Sequence, residues 1–340
     1  MKKNIVVLFG GESNEHEVSL RSAATVLRNL DKNKYNVYKA GIDRDGRLFR
    51  YYGRIDNIEN GTWRNDARNE PCFFADGKLI CVTSRIRVDA LIPAVHGQNC
   101  EDGKIQGTLF YAKIPYVGCG CESSAVCMDK VQTKLIAEKY GIPVAKYIIA
   151  HRCEKDIVER VESYLPYPVF VKPARSGSSV GISKAKNRSE LLSALGTAFL
   201  SDEKILIEET LSGKETEVAL FCDGKGDIIV SQPGEIDSGV GFYDFDTKYK
   251  NQNARLFIPA RISAQEAEII ATLAKKLFSI LECESLARAD FFVSEGKAVF
   301  NEINTFPGFT SISMYPRLME IMGLSLTRLL DMLIDTARVK

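Results

Sequence analysis

No stretch of this 340-residue chain approaches the ~18 consecutive apolar residues that a membrane-crossing helix needs. The start, MKKNIVVLFGGES, is basic but lacks a signal-length apolar core, and Gly10-Gly11 reads as a turn ending a strand rather than a cleavage site. A soluble, cytoplasmic protein with no membrane partner is expected. An excess of one charge is missing too. The 45 Lys and Arg stand against 44 Asp and Glu, a net +1, so nothing calls for nucleic acid as a partner. The nine cysteines lack the spacing of a zinc site, since Cys119, Cys121 and Cys127 are the only close group and match no such pattern. They read as reduced thiols of an intracellular protein. Internal repeats and low-complexity segments are absent as well.

What is present is an ordinary globular balance, 45% apolar and 26% charged, in a chain long enough for two or three domains. Residues 4–9, NIVVLF, read as a buried parallel strand closed by Gly10-Gly11. Val18 to Leu30 has helical apolar spacing, YNVYKAGID gives a second strand, and VDALIPAVHG a third apolar run ending in glycine. This alternation predicts an α/β domain with a parallel sheet, where ligands gather beyond the carboxyl ends of strands. Glu15 and His96 lie just past two such ends. Further on, 123–141 predicts one helix, YPVFVKPARSGSSVGISK a strand, loop and return strand, and KILIEETLSGKETEVALF two strands around a Ser-Gly turn. Helices are expected near 264–281 and at 323–336, with a polar loop SGVGFYDFDTKYKNQN before the first of these.

The segment RADFFVSEGKAVFNEINTF, residues 288–306, reads as a hairpin turning at Glu295-Gly296, yet it carries Arg288, Asp290, Glu302 and Asn304. Residues two apart on a strand share a face, so each strand presents one such pair. A three-residue loop of Glu295, Gly296 and Lys297 would set Asp290 opposite Glu302 and Arg288 opposite Asn304; a two-residue turn would put the pairs on opposite faces. Converged, the two carboxylates and the amide oxygen make an all-oxygen set suited to Mg²⁺. An edge hairpin with ordinary surface charges accounts for the same residues.

KPARSGSSVG, residues 172–181, sets Lys172 beside a glycine- and serine-rich loop whose N–H groups and hydroxyls could wrap phosphate oxygens. It is neither a Walker A sequence nor a dinucleotide fingerprint, and taken alone is equally a hairpin turn. Lys130 reads equally as a helix-surface lysine, and Glu208, Glu209 and Glu215 as surface charge around a turn.

Order and spacing change this reading. FGGESNEHEVSL (9–20), HGQNCEDGKIQG (96–107), GCGCESSAVCMDK (118–130), FVKPARSGSSVG (170–181), GFYDFDTKYK (241–250) and the run from 288 to 316 together resemble the D-alanine–D-alanine ligases of the ATP-grasp superfamily over nearly the whole chain. The resemblance implies an N-terminal parallel-sheet α/β domain (1–118) followed by an ATP-grasp fold of central (119–212) and C-terminal (213–340) α+β domains. It implies ATP and Mg²⁺, with two ions held by Asp290, Glu302 and Asn304 across the phosphates and Mn²⁺ able to substitute. By the same match Lys130, Lys172 and Lys248 meet ATP, and the Ser178 loop closes over its phosphates. Glu208, Glu209 and Leu211 lie at the adenine strand, and Glu215 takes the ribose. Glu15 holds the first D-alanine's ammonium with His96 close by. Arg288 and the Gly308 N–H stabilise the oxyanion. Tyr249, in a lid loop with Lys248, connects to Glu15 through Ser178. A homodimer is the implied assembly, and the implied pathway is peptidoglycan precursor synthesis.

The second substrate rests on Ser313, which matches a carboxylate-binding serine, and Met314, which lines its pocket. Relatives making D-alanyl-D-lactate or D-alanyl-D-serine tend to carry arginine at the Met314 position. An apolar thioether suits a methyl and offers a serine hydroxyl no partner, so D-alanine is expected, with D-alanine–D-serine ligation as the alternative. A nucleotide sensor without catalysis would have lost metal ligands or Arg288, and all are present. Two departures stand out. Cys100 sits where the family has glycine, so a positive φ there would strain it. Tyr243 and Phe245 make the lid unusually aromatic. No residue is assigned as general base.

Overall fold

The computed structural model describes residues 2–237, 255–310 and 312–340. Three sheets organise the described residues. The first contains β1 (Lys3–Gly10), β2 (Tyr35–Ile42), β3 (Leu48–Tyr51), β4 (Glu70–Ala75), β5 (Lys78–Cys81), β6 (Arg85–Arg87) and β7 (Ala90–Val95), in the order β6-β5-β4-β3-β2-β1-β7. Only β2, β1 and β7 run parallel; β3 to β6 add an antiparallel meander. The expected parallel sheet is therefore mixed. The links from β2 to β3, β4 to β5 and β5 to β6 are too short for a crossover, and Asp76-Gly77 (φ 47° and 71°) forms the Asp-Gly turn whose twist matches a two-residue hairpin.

The second sheet is antiparallel: β8 (Tyr147–His151), β9 (Val169–Pro173), β10 (Ser183–Ala185) and β11 (Lys204–Glu209), ordered β10-β9-β11-β8. Helices Ile157–Tyr164 and Arg188–Phe199 give it a core of its own. The third holds β12 (Lys214–Cys222), β13 (Ile228–Val230), β14 (Gly234–Asp237), β15 (Arg255–Phe257), β16 (Leu286–Ser294) and β17 (Lys297–Asn304). Its order is β15-β14-β12-β16-β17, with β13 paired to β12. Helix Ala264–Ile280, started by a capping box of Ser263 and Glu266, covers one face. A core shared with the first sheet and helices Met314–Ile321 and Leu326–Asp335 covers the other.

Three local expectations need correcting. The 123–141 helix is two, Cys121–Met128 and Lys130–Lys139, broken at Asp129, whose carboxylate accepts from the N–H groups of Val131 and Gln132. Aspartate favours capping over a helix interior, so the break has a local cause. The strands around Ser212-Gly213 do not form a hairpin but belong to different sheets. Gly213 (φ +129°) passes so close to β16 that a Cβ would meet the Val293 carbonyl oxygen. The last helix begins at Leu326, capped by Ser325, after a separate helix Met314–Ile321 the sequence reading did not anticipate. Among the described residues no helix is long and apolar enough to cross a membrane.

Candidate active site

The hairpin β16–β17 resolves the register question in an unexpected way. Ser294 pairs with Lys297, so the turn is the two-residue Glu295-Gly296, which alone would separate the two polar pairs. A bulge then intervenes: Phe291 pairs with Phe300 but Asp290 with Glu302, leaving Asn301 as the extra residue. Beyond it Asp290 faces Glu302 and Arg288 faces Asn304. The two carboxylates and the amide are brought together, by the bulge rather than by the turn.

Arg288 is clamped in this cluster. Its Nε and Nη2 donate to the two Asp290 oxygens at 2.8 and 2.7 Å, and Nε lies 3.1 Å from Glu217. Burial disfavours the guanidinium charge, but Asp290 and Glu217 outweigh it and raise the pKa well above the ordinary value. Asp290 is buried beneath Arg288 and lines no described cavity. Glu302 opens to the cavities, 3.4 Å from Lys130 Nζ. The Asn304 Nδ2 is buried without a hydrogen-bond partner among the described residues. That NH2 group is a donor and not a metal ligand; the ligand Asn304 can offer is its Oδ1, and with the Asp290 and Glu302 carboxylates opposite each other across the hairpin it makes an all-oxygen set whose chemistry fits Mg²⁺.

Two cavities adjoin here. The smaller, about 150 Å³, is lined by Glu15, His96, Arg288, Asn304, Gly308, Ser313 and Met314. The larger, about 720 Å³, is lined by Lys172, Glu208, Glu209, Leu211 and Glu215, and its size suits a nucleotide. Lys130, Ser176, Ser178 and Glu302 line both. Lys130, the first residue of its helix, donates to the Ser176 carbonyl at 2.7 Å. Glu209 accepts the Lys146 N–H at 2.8 Å. Glu208 lies between Lys134 (2.6 Å) and Lys172 (2.5 Å); burial opposes its charge, but the two lysines hold its pKa at about 2.

Glu15 is cradled by glycines. A Cβ at Gly97 would fall 2.5 Å from its Oε2, and one at Gly177 2.6 Å away. The Ser178 hydroxyl donates to Glu15 Oε1, which ties the glycine-serine loop to the N-terminal sheet. Ser178 and Ser179 carry φ of 47° and 59°, a left-handed backbone that costs a side-chain-bearing residue about 1–2 kcal/mol each. Lys248 and Tyr249, with Tyr243 and Phe245, lie outside the described residues.

His96 is buried, with Nδ1 3.0 Å from Glu101 and Nε2 2.9 Å from the Ser22 hydroxyl. Ser22 also accepts the Phe309 N–H at 3.2 Å, joining His96 to the segment that carries Gly308. Burial disfavours a protonated ring, yet Glu101 and, further off, Glu15 raise the His96 pKa above 6.5. The charged ring thus adds stability below about pH 6.5 that is lost as pH climbs through its raised folded value. Glu101→Gln removes that contribution, and the His96 ring protons, followed by NMR, titrate at lower pH than in the parent. Cys100 is unstrained: the left-handed residue is its neighbour Asn99 (φ 66°), a type that tolerates this region. The Cys100 thiol packs against Gly11 instead.

At the far end Ser313 Oγ lies 2.7 Å from the Thr310 hydroxyl and accepts the Thr310 N–H, and a Cβ on Gly308 would come within 2.9 Å of it. Met314 is buried against Gly234, whose added Cβ would meet its sulfur at 2.7 Å. Lys134, Asn301, Glu217 and Ser22 were absent from the sequence-based site. Lys134 had a signal, four residues after Lys130 and so on the same helix face; the others are placed by long-range contacts or the bulge.

Two family models cover most of the chain, D-ala D-ala ligase N-terminus over residues 4–119 and D-ala D-ala ligase C-terminus over 136–335. The chain belongs to the D-alanine–D-alanine ligase family. It is an ATP-dependent ligase of the ATP-grasp type. A D-alanine–D-alanine ligase of Caldicellulosiruptor bescii is 44% identical over 99% of this chain and 95% of its own. Among solved structures, the VanG D-Ala:D-Ser ligase of Enterococcus faecalis superposes with a TM-score of 0.90 at 39% identity, covering 98% of this chain and 99% of that one. The D-alanine–D-alanine ligase of Coxiella burnetii gives 0.88 at 33%, covering 98% and 93%.

Proposed function

We propose that this ligase joins two molecules of D-alanine into D-alanyl-D-alanine, for peptidoglycan precursor synthesis, through an acyl phosphate. The observation that carries the reading is the junction: Lys130, Ser176, Ser178 and Glu302 line both the amino-acid-sized and the nucleotide-sized cavity, so a γ-phosphoryl group and a carboxylate meet there. Glu15 takes the first D-alanine's ammonium by a charge-assisted hydrogen bond, with His96 alongside. Lys130, Lys172 and Lys248 meet the phosphates of ATP. Glu208, Glu209 and Leu211 border the adenine, and Glu215 accepts from the ribose.

The γ-phosphoryl group passes to the D-alanine carboxylate and ADP departs. The second D-alanine's amine then attacks the acyl carbon, loses a proton, and phosphate leaves. Arg288, held charged by Asp290 and Glu217, and the Gly308 N–H face the oxyanion of that second step. Asp290, Glu302 and Asn304 would hold Mg²⁺, two ions on this reading and replaceable by Mn²⁺, which supplies charge neutralisation as the phosphoryl group moves. Ser178, hydrogen-bonded to Glu15, and Tyr249 close the site against water, which would hydrolyse the acyl phosphate. Ser313 receives the second carboxylate and Met314 its methyl.

The domain limits we propose are 1–118, 119–212 and 213–340, supported by the change of sheet between β11 and β12. A cytoplasmic homodimer is the matching assembly, and the free cysteines suit a reducing compartment. The likeness to VanG favours one second reading, ligation of D-alanine to D-serine. Incubation with ATP, Mg²⁺, D-alanine and equimolar D-serine or D-lactate, weighed by mass spectrometry, separates the two. Mainly D-alanyl-D-alanine is expected; mainly D-alanyl-D-serine would overturn the Met314 argument and leave the mechanism standing.

A further inference from the structure

Lys134 has no role in the reading above, yet its position is demanding. It is 1% exposed, lines neither described cavity of the site, and stands 2.6 Å from Glu208. Glu208, also buried, meets Lys172 at 2.5 Å, and Lys172 reaches the Asn301 side-chain oxygen at 3.3 Å. The row Lys134, Glu208, Lys172 runs from the interior to the wall of the larger cavity. One lysine suffices to balance one buried carboxylate, but here there are two. Burial lowers the Lys134 pKa, with Glu208 opposing that and Lys172 adding to it.

The second lysine matters when the first is called away. In the present arrangement Lys172 is committed to Glu208. An incoming phosphate competes for the same ammonium, and a lone lysine–glutamate pair would then leave a carboxylate buried and unbalanced, among the costliest states in a protein interior. With Lys134 behind it the carboxylate stays paired, and the cluster as a whole presents one positive charge to the cavity.

We propose that Lys134 is a positioning residue for the nucleotide: it neutralises Glu208 from behind, so that Lys172 can turn to phosphate without stranding a buried anion. The inference rests on the reading that Lys172 meets the phosphates of ATP. The competing explanation is purely structural, with Lys134 pinning its helix to the second sheet.

Calorimetric titration of a non-hydrolysable ATP analogue with Mg²⁺ into wild type, K134M, E208Q, K134M/E208Q and K172M decides between them. Alone, K134M weakens analogue binding roughly tenfold to a hundredfold, the range of strong pairwise coupling. It raises KM for ATP by a similar factor while kcat at saturating ATP stays within about threefold. With E208Q already present there is no anion left to balance, so adding K134M costs less than about threefold. Wild-type binding by K134M overturns the proposal, as does a K134M loss that persists undiminished beside E208Q. Should K134M fail to fold, the comparison of E208Q with K134M/E208Q carries the test, and about a tenfold gap between them overturns it. Unchanged binding by K172M would instead remove the phosphate reading itself, and this inference with it.

Discussion

Glu302→Gln lowers dipeptide formation by about a thousandfold or more, the scale of several kcal/mol of charge stabilisation from a hard cation, and leaves thermal unfolding almost unchanged. The substitution keeps shape and removes only a charge that faces the cavities, on a side chain already 27% exposed. Asp290→Asn is a less clean experiment. Asp290 carries both hydrogen bonds of the Arg288 fork, and an amide offers only one acceptor oxygen. That variant loses comparable activity and, in addition, on the order of 2–3 kcal/mol of stability. Steady-state assays beside thermal unfolding curves separate the two effects. Full activity in Glu302→Gln would remove Glu302 from the metal set.

Arg288→Met destabilises the protein by roughly 3–5 kcal/mol, because it removes the buried cation that Asp290 and Glu217 share. On the proposed mechanism it also removes the cation assigned to the developing oxyanion, a loss on the order of 10²–10³ in kcat. Arg288→Lys distinguishes the roles. It keeps a charge near the two carboxylates, so much of the stability returns, but an ammonium cannot reproduce the planar fork on Asp290. Its kcat therefore falls well below that of the parent while the protein remains folded. Denaturant unfolding and kcat, measured for both variants, check this; a fully stable Arg288→Met protein would show that the clamp is not what holds the cluster together.

The hairpin shows how much a sequence tells and where it stops. Spacing by two shows that Arg288 shares a face with Asp290, and Glu302 with Asn304. Whether the pairs meet depended on a bulge at Asn301, which no turn rule predicts. The glycine-serine loop was legible as a candidate phosphate loop, but its attachment to Glu15 links residues 163 apart in sequence. Asp129 and Asp76-Gly77 carried local signals, a helix cap and a hairpin turn, that a pattern of apolar residues overrides. The bond from Phe309 to Ser22 spans 287 residues and has no local signature. The family resemblance implied the link between Glu15 and Ser178 and the grouping of Asp290, Glu302 and Asn304, while its lid residues Lys248 and Tyr249 lie outside the described part of the chain.

On the proposed mechanism the carboxylate of one amino acid is activated by phosphoryl transfer where the two cavities meet. Supplying D-alanine with isotopically heavy oxygen in its carboxylate, together with ATP and Mg²⁺, and then weighing the released phosphate tests it directly. An acyl phosphate requires one carboxylate oxygen to depart with the phosphate, so a heavy oxygen is expected in the phosphate for every dipeptide formed. Dipeptide accompanied by unlabelled phosphate would contradict it.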